Sequence, residues 1–362
     1  MSKKFIIAGG GTGGHIFPAI AIANALKQQL PDAEFLFIGA KGKMEMEKVP
    51  QAGFKIEGLD IAGFNRSSLI KNIGLPYKLI TSFFQVRRIF NRFKPDAVIG
   101  VGGYSSYPVL RTAQARGIST FIHESNAFAG KANIMLGRKA TKVFVATGGM
   151  EKFFSIGKII ISGNPVRKAI TDMKAGRTEA LRFFGLNADK ITVLSIGGSL
   201  GANSINQAVE AGLDQLAENN LQLIWQTGKP FAEQGKKAGS GKKDVWVNEF
   251  IKEMEMAYAA ADIVISRAGA MSVAELCVAG KPTIFIPYPF AAEDHQTYNA
   301  KVLADKNAAM MIKDESAKSI LIETVIGLSK NEALKKVLSE NISKEAIRNA
   351  DELIAKEIIK VM

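Results

Sequence analysis

Two stretches of this 362-residue chain are one device used twice: FIIAGGGTGGHIFPAIAIANAL (residues 5–26) and TVLSIGGSLGANSINQAVEAGL (residues 192–213). Each is an apolar run, then a tight Gly-rich turn, then an Ala/Ile/Leu pattern with helical spacing. Glycines let the backbone approach an anion closely, and the helix that follows offers unpaired N–H groups and a positive dipole end. The repeat predicts two α/β halves, with phosphate handling in at least one.

The length suits two domains, each long enough to bury a core, and 47% hydrophobic residues argue against disorder. The single cysteine, Cys277, excludes an intramolecular disulfide and reads as a small buried hydrophobe. The N-terminal apolar run is too short for a signal peptide, and nothing approaches the ~20 apolar residues of a membrane span. A cytoplasmic, non-integral protein is expected.

Charge is unevenly placed. Residues 1–164 carry 22 Lys+Arg against 9 Asp+Glu, whereas residues 165–362 carry 25 against 25, so the net +13 resides in the first half. Residues 61–95 hold seven cations and no acid. Among them Lys71 and Lys78 are interleaved with Ile73, Tyr77, Ile80, Phe83 and Phe84 at near-helical spacing. That mixture describes a surface for anionic lipid. No zinc-finger, RNP or helix-turn-helix pattern accompanies the charge, so nucleic acid is not the expected polyanion.

Candidate strands are 4–8, 34–38, 97–101, 119–122 and 142–146, then 191–196, 221–225, 263–265 and 283–286. Helical patterns cover 17–30, 44–51, 203–218, 254–260 and 271–279. The alternation predicts parallel sheets in two Rossmann-like domains, with ligands at the carboxyl ends of the strands. A hinge is expected at Ser162-Gly163-Asn164-Pro165. The expected domains are 1–164 and 165–341, with a C-terminal helix of about 342–362 packing back on the first.

The expected loops hold the candidate chemistry. The three histidines, His15, His123 and His295, each stand beside other polar groups in what reads as a loop or turn. His15 closes the first Gly-rich turn at a helix start, where the dipole disfavours an imidazolium and leaves the ring available as a base. Gly100-Val-Gly-Gly-Tyr104 follows a strand on the same rim. Ser266-Arg-Ala-Gly-Ala-Met-Ser272-Val-Ala-Glu275 follows another strand and opens a helix. The start of that helix suits a diphosphate, and Glu275 can accept from vicinal ribose hydroxyls. Arg167 is a candidate phosphate clamp. The dinucleotide fingerprint is incomplete, because the second strand ends Ile38-Gly39-Ala40 without a carboxylate; neither Gly-rich loop ends in Gly-Lys-Ser/Thr. No Asp-x-Asp triplet offers to hold a nucleotide-bound metal, so neither a cofactor nor a metal is expected.

GGGTGGHIFPA, GVGGYSS, HESN, GNPVR, GGSLGA, FIKEM, SRAGAMSVAEL and DHQTYNA occur in this order over essentially the whole chain. This set resembles the MurG family of GT-B glycosyltransferases. The resemblance implies two Rossmann-like domains with an interdomain cleft, and inverting transfer of N-acetylglucosamine from UDP-GlcNAc to lipid I, giving lipid II for peptidoglycan. It also implies a peripheral enzyme of the cytoplasmic membrane face, with an anionic membrane surface and cell-wall synthesis proteins as partners. By the same resemblance Arg167, Ser199 and the 197–202 backbone hold the donor diphosphate, Phe250 and Ile251 bracket the uracil, and Ala270, Met271 and Ser272 line the helix start. Glu275 takes the ribose, while Asn126, His295 and Gln296 contact the sugar. Gly102, Gly103 and Tyr104 surround the acceptor diphosphate. Thr12, Gly13 and Gly14 lie on the acceptor side beside His15 and reach the donor as well. His15 is the implied base, with Glu124 as the alternative. Leu200, Tyr107 and His295 depart from the common family pattern. A UDP-GlcNAc 2-epimerase, another glycolipid transferase and a non-catalytic nucleotide-sugar sensor are the competing readings.

Overall fold

The computed structural model describes residues 2–63, 72–198 and 200–362. The chain divides into two compact units, Met1–Val166 with Asn349–Met362, and Arg167–Arg348.

Seven parallel strands build the sheet of the first unit: β1 (Lys4–Ala8), β2 (Glu34–Ala40), β3 (Lys55–Leu59), β4 (Ala97–Gly100), β5 (Ser119–Glu124), β6 (Lys142–Val145) and β7 (Ile159–Ile161). Their order is β3-β2-β1-β4-β5-β6-β7. Successive residues of β1 enter different cores, as expected of a strand covered on both faces. Phe5 and Ile7 pack with Ile22, Leu26 and Phe37, whereas Ile6 and Ala8 pack with Val98, Ile122 and Val143. The helix Ala350–Lys360 contributes Ile354, Ala355 and Ile358 to the first of these cores, against the helix Gly13–Gln29. Burying each isoleucine stabilises the fold by about 1.5–3 kcal/mol, which ties the chain's end to the first unit.

The second unit repeats the plan with β8 (Ile191–Ile196), β9 (Leu221–Gln226), β10 (Val245–Asn248), β11 (Ile263–Ser266), β12 (Thr283–Phe285) and β13 (Met310–Met311), ordered β10-β9-β8-β11-β12-β13, all parallel. Trp225 is fully buried, and its Nε1–H donates to Asn206 Oδ1 at 2.9 Å. Asn206 Nδ2 in turn donates to the Thr227 carbonyl at 2.8 Å, fastening the helix Asn203–Ala211 to the end of β9. In each sheet the chain leaves the first strand for one neighbour and later returns on the other side. The carboxyl ends of β1 and β4, and of β8 and β11, are therefore the switch points where α/β sheets open a crevice.

Several expectations change. Residues 203–218 form two helices, Asn203–Ala211 and Leu213–Glu218, broken at Gly212. A Cβ there would lie 2.4 Å from Ile322, so glycine allows the helix Ala317–Ser329 to approach. The C-terminal segment is also two helices, Glu332–Lys344 and Ala350–Lys360. Arg348, between them, donates to the Thr171 and Val278 carbonyls. The expected hinge is anchored within the first unit: Gly163 O accepts from His123 Nε2 at 3.2 Å and Asn164 Nδ2 donates to Ser125 O at 2.9 Å. The unit boundary falls just beyond it, between Val166 and Arg167.

Candidate active site

In the first unit the loop after β1 is shaped by what lies close to it. Gly9 and Gly10 both have φ of +150°. A Cβ on Gly9 would lie 2.6 Å from the Gly102 carbonyl oxygen, and one on Gly103 (φ +83°) would lie 2.6 Å from that of Gly10. The loops after β1 and β4 thus touch backbone to backbone. Beneath them is Glu45, 1% exposed, whose Oε1 accepts from Ala40 N at 3.0 Å and Oε2 from Gly11 N at 2.9 Å. Gly10 and Gly39 leave room for that side chain, since a Cβ on Gly10 would lie 2.3 Å from its Oε1 and one on Gly39 2.5 Å from its Cγ.

His15, in the first turn of the helix Gly13–Gln29, is half-buried, with Nδ1 3.1 Å from the Gly10 carbonyl and 3.4 Å from Thr12 Oγ1. A carbonyl only accepts, so this contact places the ring proton on Nδ1 and makes Nε2 the basic nitrogen. Gly102 (φ +96°) is packed against that nitrogen; a Cβ there would be 2.8 Å from Nε2. Thr12 is exposed, and Gly13 and Gly14 form the helix start. The Tyr104 ring lies beside Gly11 and Gly63, and burial first, then the Glu45 charge, raises its hydroxyl pKa.

Glu124, 3% exposed at the end of β5, accepts four hydrogen bonds: from the backbone N–H and side-chain amide of Asn126, from Gly130 N at 3.0 Å and from Asn133 Nδ2 at 2.8 Å. This is the geometry of a carboxylate that orders a loop. His123 is not in a loop, as its neighbours had implied, but inside β5 and fully buried. Burial pushes its pKa down to about 4, partly opposed by the hydrogen bond to Gly163. It is a neutral core side chain.

In the second unit the loop after β8 turns at Gly198 (φ +78°) and Gly201 (φ +72°). A Cβ on Gly201 would lie 2.2 Å from the Thr227 carbonyl oxygen. Gln226 joins two candidate segments: its Nε2 donates to Gly198 O at 3.1 Å and its Oε1 accepts from Ile251 N at 3.1 Å. Ile251 is buried and Phe250 is 49% exposed. Ser199 lies outside the described residues, and the departing Leu200 is 80% exposed.

Ala270, Met271 and Ser272 are half-buried at the start of the helix Ala270–Ala279, capped by Gly269 without a side-chain acceptor. One turn on, Glu275 is 7% exposed and is gripped by Arg167, Nε to Oε1 at 2.8 Å and Nη2 to Oε2 at 3.0 Å. The buried Tyr258 hydroxyl donates to Oε2 at 3.1 Å. Burial, then the Glu275 charge, raises the Tyr258 pKa far above the usual phenol range, which keeps it a donor. His295 and Gln296 open the helix His295–Ala304, and Asn299 Nδ2 ties that helix to the Ala268 carbonyl at 3.1 Å. His295 Nδ1 contacts Ala292 O at 2.6 Å, and Gln296 Oε1 accepts from Tyr288 N at 2.9 Å, so Gln296 presents its NH₂ outward from that anchor. Cys277 is buried, its thiol pushed up to about 12 by desolvation.

The apolar patch lies at the helix Leu75–Phe93, where Tyr77, Ile80 and Phe84 are exposed, with Ile73 just before it and Lys78 among them. Phe83 is a correction: it is half-buried, edge-on to Tyr107 with ring centroids 6.4 Å apart. Lys71 lies outside the described residues. No helix among the described residues is long and apolar enough to cross a membrane. Sequence reasoning passed over Glu45, Gln226 and Tyr258. Glu45 sits in a charged helical stretch that reads as solvated, and the other two sit in apolar runs; only their tertiary neighbours give them roles.

Residues 5–145 match the glycosyltransferase family 28 N-terminal domain and residues 192–358 the family 28 C-terminal domain. The UDP-N-acetylglucosamine–N-acetylmuramyl-(pentapeptide) pyrophosphoryl-undecaprenol N-acetylglucosamine transferase of Phocaeicola vulgatus is 48% identical over 361 residues, covering 99% of this chain and 96% of that protein. The enzyme of the same name from Parabacteroides distasonis is 47% identical, covering 99% and 98%. Among solved structures, Acinetobacter baumannii MurG superposes with a TM-score of 0.83 at 30% identity, covering 99% of each chain.

Proposed function

The chain belongs to glycosyltransferase family 28, and from that premise we propose that it moves N-acetylglucosamine from UDP-GlcNAc to the MurNAc 4-hydroxyl of undecaprenyl-diphosphate-linked MurNAc-peptide, forming lipid II. The observation that carries this reading is the end-to-end identity with transferases named for that reaction.

The donor belongs to the second unit. The 197–202 segment and the N-terminal end of the helix Ala270–Ala279, whose dipole favours negative charge, take the diphosphate, joined by Arg167 and, from the sequence, Ser199. The Ile251 N–H is engaged by Gln226, so its carbonyl is the group that meets the uracil imide N–H, with Phe250 against the ring. Glu275 takes the ribose hydroxyls. Gln296, His295 and Asn126 contact the transferred sugar.

The acceptor belongs to the first unit. In a single displacement the 4-hydroxyl attacks the anomeric carbon, its proton passes to a base, and the C–O bond to UDP breaks, which inverts the centre. His15 Nε2 is that base, held in the correct tautomer by Gly10 O. Glu124, already accepting four hydrogen bonds, orders the Asn126 loop. The charge that develops on UDP is stabilised by Arg167 and the two diphosphate-binding segments. Gly102, Gly103 and Tyr104, with Thr12, Gly13 and Gly14, surround the acceptor's sugar and diphosphate.

Ile73, Tyr77, Ile80 and Phe84, with Lys78 and Lys71, dock the protein on the anionic cytoplasmic face of the membrane, where the acceptor resides. Partner proteins of cell-wall synthesis belong to the same setting. Loss of vesicle binding in Ile80→Ser/Phe84→Ser, with transfer to a soluble acceptor analogue retained, is the expected result.

The deciding experiment is transfer of radiolabelled GlcNAc to a short-chain lipid I analogue, beside a lipid-free sugar acceptor and an assay for UDP release. Product with the lipid diphosphate alone supports the proposal. Epimerised sugar or acceptor-independent UDP release points instead to a UDP-GlcNAc 2-epimerase. A sensor predicts no turnover in any arm and no effect of His15→Ala.

A further inference from the structure

The Arg167–Glu275 contact blocks the very groups that a donor needs. A carboxylate presents about four lone-pair directions on two oxygens. Three are occupied on Glu275: Oε1 by Arg167 Nε, and Oε2 by Arg167 Nη2 and the Tyr258 hydroxyl. A vicinal diol requires two acceptors, so it cannot be fully bound while the arginine stays. In turn, the guanidinium has committed its Nε–Nη2 edge to the carboxylate, which leaves only its Nη1–Nη2 edge to meet a phosphate.

Resting on the donor-site reading above, we propose that Arg167 and Glu275 mask each other in the unliganded protein, and that the site opens fully only to one molecule carrying both a cis-diol and a diphosphate. Such a ligand exchanges the guanidinium–carboxylate pair for a guanidinium–phosphate pair and a diol–carboxylate pair, leaving no buried charge alone. A nucleoside alone must break the pair and return Arg167, whose side chain is 44% exposed, to water with no new partner, and an inorganic anion that draws the arginine away strands Glu275, which at 7% exposure is poorly hydrated. Tyr258 is a positioning residue: its hydroxyl keeps Oε2 in place after the arginine leaves. The pair thereby makes the site read the nucleoside and the diphosphate as one object, excluding fragments that carry only half of the signal.

Calorimetric titration of the full chain with UDP and with uridine tests this. Arg167→Ala is expected to weaken UDP at least tenfold yet to strengthen uridine about three- to tenfold, the scale of a partly exposed charge-assisted pair. Arg167→Gln serves as a second variant should the alanine protein fold poorly. Uridine binding unchanged or weaker in the variant that folds overturns the masking. Glu275→Ala separates this from failure of the site reading: uridine affinity must fall, and if it does not, Glu275 is not the ribose residue and the donor-site reading fails with the proposal. Tyr258→Phe is expected to raise the KM for UDP-GlcNAc about fivefold at unchanged kcat; a loss confined to kcat overturns the role assigned to Tyr258.

Discussion

The loops after β1 and β8 share a sequence plan and a place in their sheets, but a buried carboxylate lies beneath the first and a neutral amide beneath the second. Glu45 accepts the Gly11 N–H, which withdraws a backbone donor from the first loop and sets a negative charge under it. Gln226 donates to the Gly198 carbonyl, which braces the second loop through an acceptor and adds no charge. On the function proposed above, the second loop suits the charge that develops on UDP as it leaves, and the first suits the attacking hydroxyl with its proton acceptor. The same Gly-rich signature has been turned to two electrostatic uses by one side chain in each unit.

The comparison is broken most severely at His15. His15→Ala is expected to lower transfer by about 10²–10⁴-fold while UDP affinity, measured by calorimetry, stays at its wild-type value. A parallel loss of UDP affinity would mean that the two loops do not divide the work in this way. Next comes a matched pair of glycines. Gly102→Ala places a Cβ against His15 Nε2 and is expected to cost roughly 10² in kcat through displacement of the base. Gly201→Ala meets backbone at the Thr227 carbonyl and should instead weaken UDP binding and thermal stability.

Acid should separate the units themselves. The His123 pKa is about 4 in the folded protein against about 6.5 unfolded, so the unfolded chain binds the extra proton first. The stability it contributes is complete above pH 6.5 and is lost as pH falls towards 4, by about 2 kcal/mol at pH 5. Urea midpoints at pH 7 and 5, followed in the first unit by exchange of β5 amides, should show this slope, and His123→Gln should flatten it. The smallest effect is expected from Glu45→Gln, which retains one acceptor for two N–H groups and should cost about 1–2 kcal/mol of stability, with a moderate fall in kcat as the Gly10 carbonyl releases His15.

Strands in the middle of each sheet were legible in the sequence, while β3, β7, β10 and β13 were not. All four are edge strands. A central strand is covered on both faces and flanked on both sides, so it must be a continuous apolar run. An edge strand is pinned by one neighbour and by the helices above it: KIEGL mixes apolar residues with charge and glycine, and III, VWVN and MM run for only three, four and two residues. The site divides likewise. His15, the glycines, Arg167 and Glu275 announce themselves through loop position and residue type. Phe83 was misassigned to the exposed patch because helical spacing does not say that Tyr107 lies across from it, and His123 because a polar neighbourhood in sequence does not reveal burial within a strand.

The sequence by itself determined the doubly wound α/β plan, used twice, and the points where each sheet opens, because these depend on periodicity and on the backbone freedom of glycine, both local properties; the eight ordered motifs carried the family resemblance. Only the tertiary structure decided that Glu45 and Gln226 brace their loops with opposite polarity, that Glu124 is saturated by its own loop, and that Arg167 is closed on Glu275 with Tyr258 behind it. The Glu124 contacts span 2 to 9 positions, those of Gln226 25 and 28, and Arg167–Glu275 spans 108, because hydrogen bonding and desolvation act over a few ångströms of space, whatever the distance along the chain.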